Sequence, residues 1–214
     1  MKHAVLGTGT VGHAIANKLL SLGHDVVMGS RTADNDKAVA FAASHERASA
    51  GTFGDAAAAG DLVWNCVSGQ HSLAALESAG AGLDGKTLLD LSNPLDFSQG
   101  FPPRLFVCND DSLGEQIQRA HPQAKVVKTF NTLANHLMVD PGQLPAETDV
   151  FVAGDDAEAK AEAIAVLKEF GHGAPLDVGA LSVARGLEAW LLLWTRLYGA
   201  FGDANFNLKI VRGG

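Results

Sequence analysis

Gly7-Thr8-Gly9-Thr10-Val11-Gly12 reads G-x-G-x-x-G. It stands between an apolar run, Lys2 to Leu6, and a segment that repeats small and apolar residues at helical spacing up to Leu22. Strand, turn and helix in that order are the context this fingerprint needs. Each glycine then has its own role. Gly7 permits the tight turn, Gly9 leaves room for a pyrophosphate to approach the backbone, and Gly12 lets the helix pack closely on the strand. Thr8, Thr10 and Val11 complete the loop, and the helix start meets the phosphates with free N–H groups and a partial positive charge.

Working outward, Gly23 suits the left-handed position that ends a helix, and Asp25 to Met28 supplies a second strand, which gives a parallel crossover unit. The alternation continues with strands expected near Leu62 to Val67, Thr87 to Leu91, Lys125 to Phe130 and Val150 to Ala153. The fold class is therefore α/β: a Rossmann-type, doubly wound, mostly parallel sheet with a small C-terminal α/β extension. Ser92 to Asp111, with three prolines, reads as a long surface loop without elements of its own. The prolines of Pro141-Gly142-Gln143-Leu144-Pro145 mark a boundary between a dinucleotide-binding domain, 1–145, and a small C-terminal part, 146–214, packing on it. In that part, Asp155 and Asp156 cap a helix that runs to Phe170 and ends at Gly171, and one long helix spans Leu181 to Phe201.

The end of the second strand selects the nucleotide. NAD-specific proteins place an Asp or Glu there to accept from the ribose 2′-hydroxyl. This chain has Val27-Met28-Gly29-Ser30-Arg31 instead. A carboxylate would oppose a 2′-phosphate, whereas the Ser30 hydroxyl and the planar Arg31 guanidinium suit one. NADP(H) is the expected cofactor, and Lys37 reads as a surface lysine in a loop.

Bulk composition narrows the remaining classes. The 214 residues are 47% hydrophobic and 19% charged, with a formal charge of −8 that disfavours nucleic acid and anionic lipid. The apolar stretch from Leu187 to Phe201 is shorter than the roughly 20 residues a bilayer crossing needs, so no membrane is expected. Cys66 and Cys108 are too few for a disulfide framework and read as reduced core thiols; the histidines lack metal-ligand spacing, and no metal is expected. Met1 runs directly into a strand without a targeting leader, so the expected location is cytoplasmic.

No side chain stands out as catalytic. The single tyrosine, Tyr198, has no lysine four residues on, and no lysine occurs between Lys168 and Lys209. A second redox ring becomes the attractive acceptor, because hydride passes between stacked rings that the protein need only position. Three loops at strand ends are placed to do so: Cys66-Val67-Ser68 with His71, Ser92-Asn93, and Asn131-Thr132-Leu133. Turn formation and helix capping are the other uses such residues have, and His71 suits a solvated loop equally well. A non-enzymatic NADPH sensor is the competing reading.

Together with the glycine loop, Leu89-Asp90-Leu91-Ser92-Asn93, Val126-Val127-Lys128-Thr129-Phe130-Asn131-Thr132, Phe151-Val152-Ala153-Gly154-Asp155-Asp156 and Pro175-Leu176-Asp177-Val178-Gly179 resemble the NADPH:deazaflavin oxidoreductases that use coenzyme F420. They also resemble the cytoplasmic domain of the STEAP metalloreductases. The likeness implies a Rossmann domain with a small C-terminal part, a homodimer, and NADP held at the matched glycines, Ser30 and Arg31. The second redox partner it implies is a small molecule, either coenzyme F420 or a flavin such as FAD or FMN. The archaeal deazaflavin enzymes place a histidine where Asn131 aligns, and the Ser-Asn and Phe-Asn-Thr segments are closer to the STEAP branch, so a soluble flavin or ferric-chelate reductase stands as the alternative.

Overall fold

The computed structural model describes residues 1–213. The short apolar run forms β1 (Lys2–Leu6), which leads through the glycine turn into α1 (Thr10–Ser21). Gly23, at φ +84°, ends that helix, and its N–H reaches the Leu20 carbonyl. The chain continues through β2 (Asp25–Ser30), α2 (Asp36–Ala43), β3 (Ala48–Thr52), α3 (Phe53–Ala59), β4 (Leu62–Asn65), α4 (Gly69–Ala79) and β5 (Thr87–Asp90). Next come β6 (Leu95–Asp96), β7 (Arg104–Leu105), α5 (Leu113–Ala120), β8 (Lys125–Thr129) and α6 (Asn135–Val139). The chain closes with β9 (Phe151–Gly154), α7 (Ala157–Glu169), β10 (Leu176–Gly179), α8 (Ala184–Ala189) and α9 (Leu191–Phe201).

One eight-stranded sheet, in the order β10-β9-β8-β5-β4-β1-β2-β3, runs through the molecule. Neighbouring strands are parallel except at β8 and β9, so β9 and β10 extend the sheet as two reversed strands. From β1 the chain first winds one way to β3 and then the other way from β4, which creates a switch point between β1 and β4. Register carries a row of residues across the carboxyl ends: Gly29 beside Leu6, Leu6 beside Asn65, Asn65 beside Asp90, and Asp90 beside Lys128.

Both faces of the sheet are covered, so successive strand residues feed different cores. Val5, Met28, Trp64, Leu89 and Val127 pack with Ile15 and Leu19 of α1 and Phe170 on one side. Ala4, Leu6, Val63, Leu88 and Val126 meet Leu76 and Ile117 on the other. Trp64 is fully buried and lies nearly flat against Phe170 at a centroid distance of 5.6 Å. Truncating it to alanine would cost roughly 3–5 kcal/mol.

Several expectations need correction. The 92–111 segment contains the small hairpin of β6 and β7, because Pro94, Pro102 and Pro103 fall outside its paired positions. The final helix is divided into a 3₁₀ turn at Leu181–Val183, α8 and α9; after Trp190 the Leu193 N–H bonds the carbonyl only three residues back, a tighter turn. Lys37 lies in the first turn of α2, not in a loop. Cys108 is exposed, outside any core, and Cys66 is half-buried. Strands β3 and β10 carried little strand signal: Ala48-Ser49-Ala50-Gly51-Thr52 is small-residue sequence, held in place by pairing with β2.

Candidate functional site

Two adjoining cavities open at the carboxyl ends of the strands, over the switch point, where open α/β sheets bind ligands. One, about 370 Å³, is lined by Gly7, Thr8, Gly9, Ser30, Arg31 and Cys66, with Thr32, Asn35 and Phe53 around them. The other, about 330 Å³, runs from Gly9, Thr10 and Val11 past Cys66 and Val67 to Ser92, Asn93 and Phe97. Gly9, Cys66, Val67 and Ser68 border both, so they form one crevice.

The glycine loop has the geometry its sequence predicts. Gly7 sits at φ +115°, a conformation that other residues rarely adopt, and its N–H bonds the Gly29 carbonyl at 2.9 Å. A Cβ on Gly12 would run into the Gly7 carbonyl, whereas one on Gly9 would meet nothing within 4 Å. The open space is therefore on the crevice side, where a ligand phosphate needs it. Some helix starts carry side-chain caps, and α1, α4, α6, α8 and α9 carry none. Asn35, Thr52, Ser112 and Asp156 cap α2, α3, α5 and α7 with their side chains. The two helices that open on the crevice, α1 after Gly9 and α4 after Ser68, have no side-chain cap. The N–H groups at the very start of α1 and α4 remain for an anion, while in α4 the His71 N–H already bonds the Ser68 carbonyl.

At the end of β2, Arg31 is exposed on the cavity wall, and among the described residues it makes no ion pair. Ser30 is buried, and its hydroxyl donates to the Thr32 carbonyl at 2.6 Å, so it shapes this turn as well as facing the cavity. Cys66 stays a neutral thiol, because burial and then the neighbouring Asp90 charge push its titration up.

The remaining expected residues separate into two groups. Ser92 and Asn93 line the crevice, but His71 is exposed on the first turn of α4 and borders neither cavity. Asn131, Thr132 and Leu133 are buried behind the crevice wall and do not line it. Asn131 acts through Asn93: its Nδ2 donates to Asn93 Oδ1 and to the Leu187 carbonyl, both at 2.9 Å. Sequence reasoning missed Lys128, fully buried at the end of β8 between Asp90 and Glu188. A lysine inside the apolar run Val126-Val127-Lys128 was the available signal, since a charge there needs buried partners. Among the described residues no group of three His, Cys, Asp or Glu side chains is arranged to hold a metal, and no helix is long and apolar enough to cross a membrane.

A switch-point crevice with an open glycine loop and, among the described residues, an arginine without an ion pair at the end of β2 is the arrangement of a Rossmann-type dinucleotide-binding protein. Residues 2–94 match the family described as NADP oxidoreductase, coenzyme F420-dependent. A crystal structure from Arthrobacter sp. FB24, itself assigned only provisionally as an F420-dependent NADP reductase, shares 50% sequence identity. It covers 99% of this chain and 100% of its own, with a TM-score of 0.94. The chain belongs to this family of NADP oxidoreductases. It is also similar to the F420-dependent NADP reductase of Methanocaldococcus jannaschii, 28% identical over 88% of both chains. Metalloreductase STEAP3 of Rattus norvegicus is 29% identical over 88% of this chain, which spans only 36% of that protein.

Proposed function

We propose that the crevice holds NADP(H) and a deazaflavin of the coenzyme F420 type, and that the enzyme passes hydride between them. The observation that carries this reading is the uncapped start of α1 beside the open space at Gly9, with Arg31 free at the adjoining wall. Gly7 to Gly12 receive the pyrophosphate, while Ser30 and Arg31 receive the 2′-phosphate. Cys66, Val67, Ser68, Ser92 and Asn93 border the nicotinamide, and Asn131, Thr132 and Leu133 support that border from behind. His71, exposed and outside both cavities, is left without a role in holding the nucleotide. When bound, the nicotinamide supplies the hydride chemistry; the chain's own work is to bind, orient and exclude water. No side chain is assigned a proton-transfer role.

Asn131 favours a second reading. The likeness to a STEAP metalloreductase leaves FAD, FMN or ferric chelates as acceptors. The deciding experiment follows NADPH oxidation by the purified protein with deazaflavin, FAD, FMN and ferric chelates in parallel. Fastest turnover with deazaflavin supports the first reading, faster turnover with flavin or ferric chelate supports the second, and turnover with none of them sinks both and leaves a nucleotide sensor.

The chain divides, on this reading, into a nucleotide-binding part, 1–145, and a small C-terminal part, 146–214, that packs on it. A homodimer through α9 fits the exposed Leu193 and Phe201, 48% and 59% accessible. Light scattering tests it. Two unpaired cysteines suit the reducing cytoplasm.

A further inference from the structure

Three charges lie buried under the acceptor end of the crevice, and the nucleotide reading gives them no task. Lys128 Nζ sits 2.8 Å from Asp90 Oδ2, 2.7 Å from Glu188 Oε1 and 2.5 Å from the Ser92 carbonyl. The three side chains are 0%, 0% and 2% exposed. Burial pulls the Lys128 pKa down, but the Asp90 and Glu188 carboxylates outweigh it and hold the ammonium charged.

Such a cluster is a poor source of stability. Desolvating three ions offsets most of their attraction, and well-packed apolar residues often serve as well. What the charges do provide is fixed position, because each oxygen is committed to a particular loop. Asp90 Oδ1 accepts from the Ser92 N–H at 3.1 Å, the Ser92 hydroxyl at 2.7 Å and Asn65 Nδ2 at 2.8 Å. Asn65 Oδ1 in turn accepts from the Val67 N–H. Glu188 accepts from the N–H groups of Leu113 and Gly114, at the start of α5. Its neighbour Leu187 presents the carbonyl that holds Asn131. One ammonium thus joins the crevice loops after β4 and β5 to α8, and α8 also anchors the loop after β8.

We infer that Lys128 is a positioning residue for the nicotinamide and acceptor end of the crevice, fixing the Ser92-Asn93 loop and, through Glu188, tying it to the C-terminal helix α8. This rests on reading the crevice as the NADP site. Ser30 and Arg31 are outside the network, which reaches their cavity only through the Val67 N–H.

That asymmetry supplies the test. Adenosine 2′,5′-bisphosphate fills the adenosine end and has no nicotinamide, so its affinity and that of NADPH are compared by calorimetry in the wild-type protein, Glu188→Gln and Lys128→Met. Glu188→Gln keeps the Lys128–Asp90 pair and an amide oxygen for α5; it decides the matter if Lys128→Met does not fold. The expected result is NADPH binding weakened by roughly tenfold, as for a reacting ring held out of place, with the bisphosphate unchanged. A merely structural role would move both ligands by the same factor, or neither, and either result overturns the inference. Wild-type protein that binds neither ligand would instead sink the nucleotide reading itself.

Discussion

Asn93 and Asn131 hold each other: Asn131 Nδ2 donates to Asn93 Oδ1, and Asn93 Nδ2 donates to the Asn131 carbonyl, each at 2.9 Å. Asn93 lines the crevice, while Asn131 is 2% exposed, so the second residue sets the orientation of the first from behind. Asn131→Ala leaves Asn93 Oδ1 and the Leu187 carbonyl without their donor, at a cost of about 1–3 kcal/mol in folding stability. The urea midpoint should fall accordingly. A larger proportional loss in acceptor turnover than in affinity for adenosine 2′,5′-bisphosphate is expected, because the side chain that moves is at the far end of the crevice. An unchanged midpoint would show that the pair does not hold the wall.

On the proposed reading, Arg31 governs the choice between the two nicotinamide nucleotides. Its guanidinium is exposed on the cavity wall at the end of β2, and among the described residues no carboxylate competes for it. Arg31→Ala should weaken NADPH binding by roughly ten- to a hundredfold, the scale of a charge-assisted hydrogen bond, and leave NADH nearly unchanged. Fluorescence titration with both nucleotides measures the ratio. Equal losses for both would remove Arg31 from the 2′-phosphate site.

The glycine-loop end of the crevice, where the adenosine half is proposed to bind, was legible in the sequence because its parts are local. Gly7 to Gly12 form one turn, and Ser30-Arg31 end the strand that pairs with β1, so spacing alone brings them together. The acceptor half depends on long-range register. Lys128 stands next to Asp90 only because β5 and β8 pair in parallel, and Glu188 arrives from a helix near the other end of the chain. Asn131 was singled out in the sequence as a crevice residue, but its burial behind the wall was not foreseen, since a strand-end position does not say which way the side chain turns. His71 shows the converse: helical spacing allowed it to face the crevice, and the start of α4 points it to solvent.

The fingerprint glycines should separate binding from folding. Gly9 has open space where a Cβ would go, so Gly9→Ala is expected to fold with near-normal stability and to lose affinity for NADPH, its methyl occupying pyrophosphate space. Gly12→Ala pushes a methyl into the Gly7 carbonyl and must displace α1 from β1, which overpacking studies put at roughly 1–3 kcal/mol. Thermal melts with and without NADPH distinguish the two. A destabilised Gly9→Ala, or a stable Gly12→Ala that still binds, would contradict the geometry.

At the opposite end of the sheet, His3 makes stability depend on pH. It is fully buried, and Trp64 Nε1 donates to its Nδ1 at 3.1 Å, a bond that requires that nitrogen unprotonated. Burial, then the nearby His24 and the N-terminal ammonium, push its pKa down to about 4, with Asp61 pulling weakly the other way. An unfolded histidine titrates near 6.5, so below that pH the unfolded chain takes up a proton that the folded one refuses. This contribution is complete above about pH 6.5, drains away as the pH falls toward 4, and amounts to about 3 kcal/mol in all. Buried His172, its pKa also lowered by burial, adds in the same direction. His3→Gln retains an acceptor for Trp64 but takes up no proton. Urea midpoints at pH 7 and pH 5 should therefore drop further for the wild-type protein than for His3→Gln, and equal drops would mean that His3 is already protonated in the folded state.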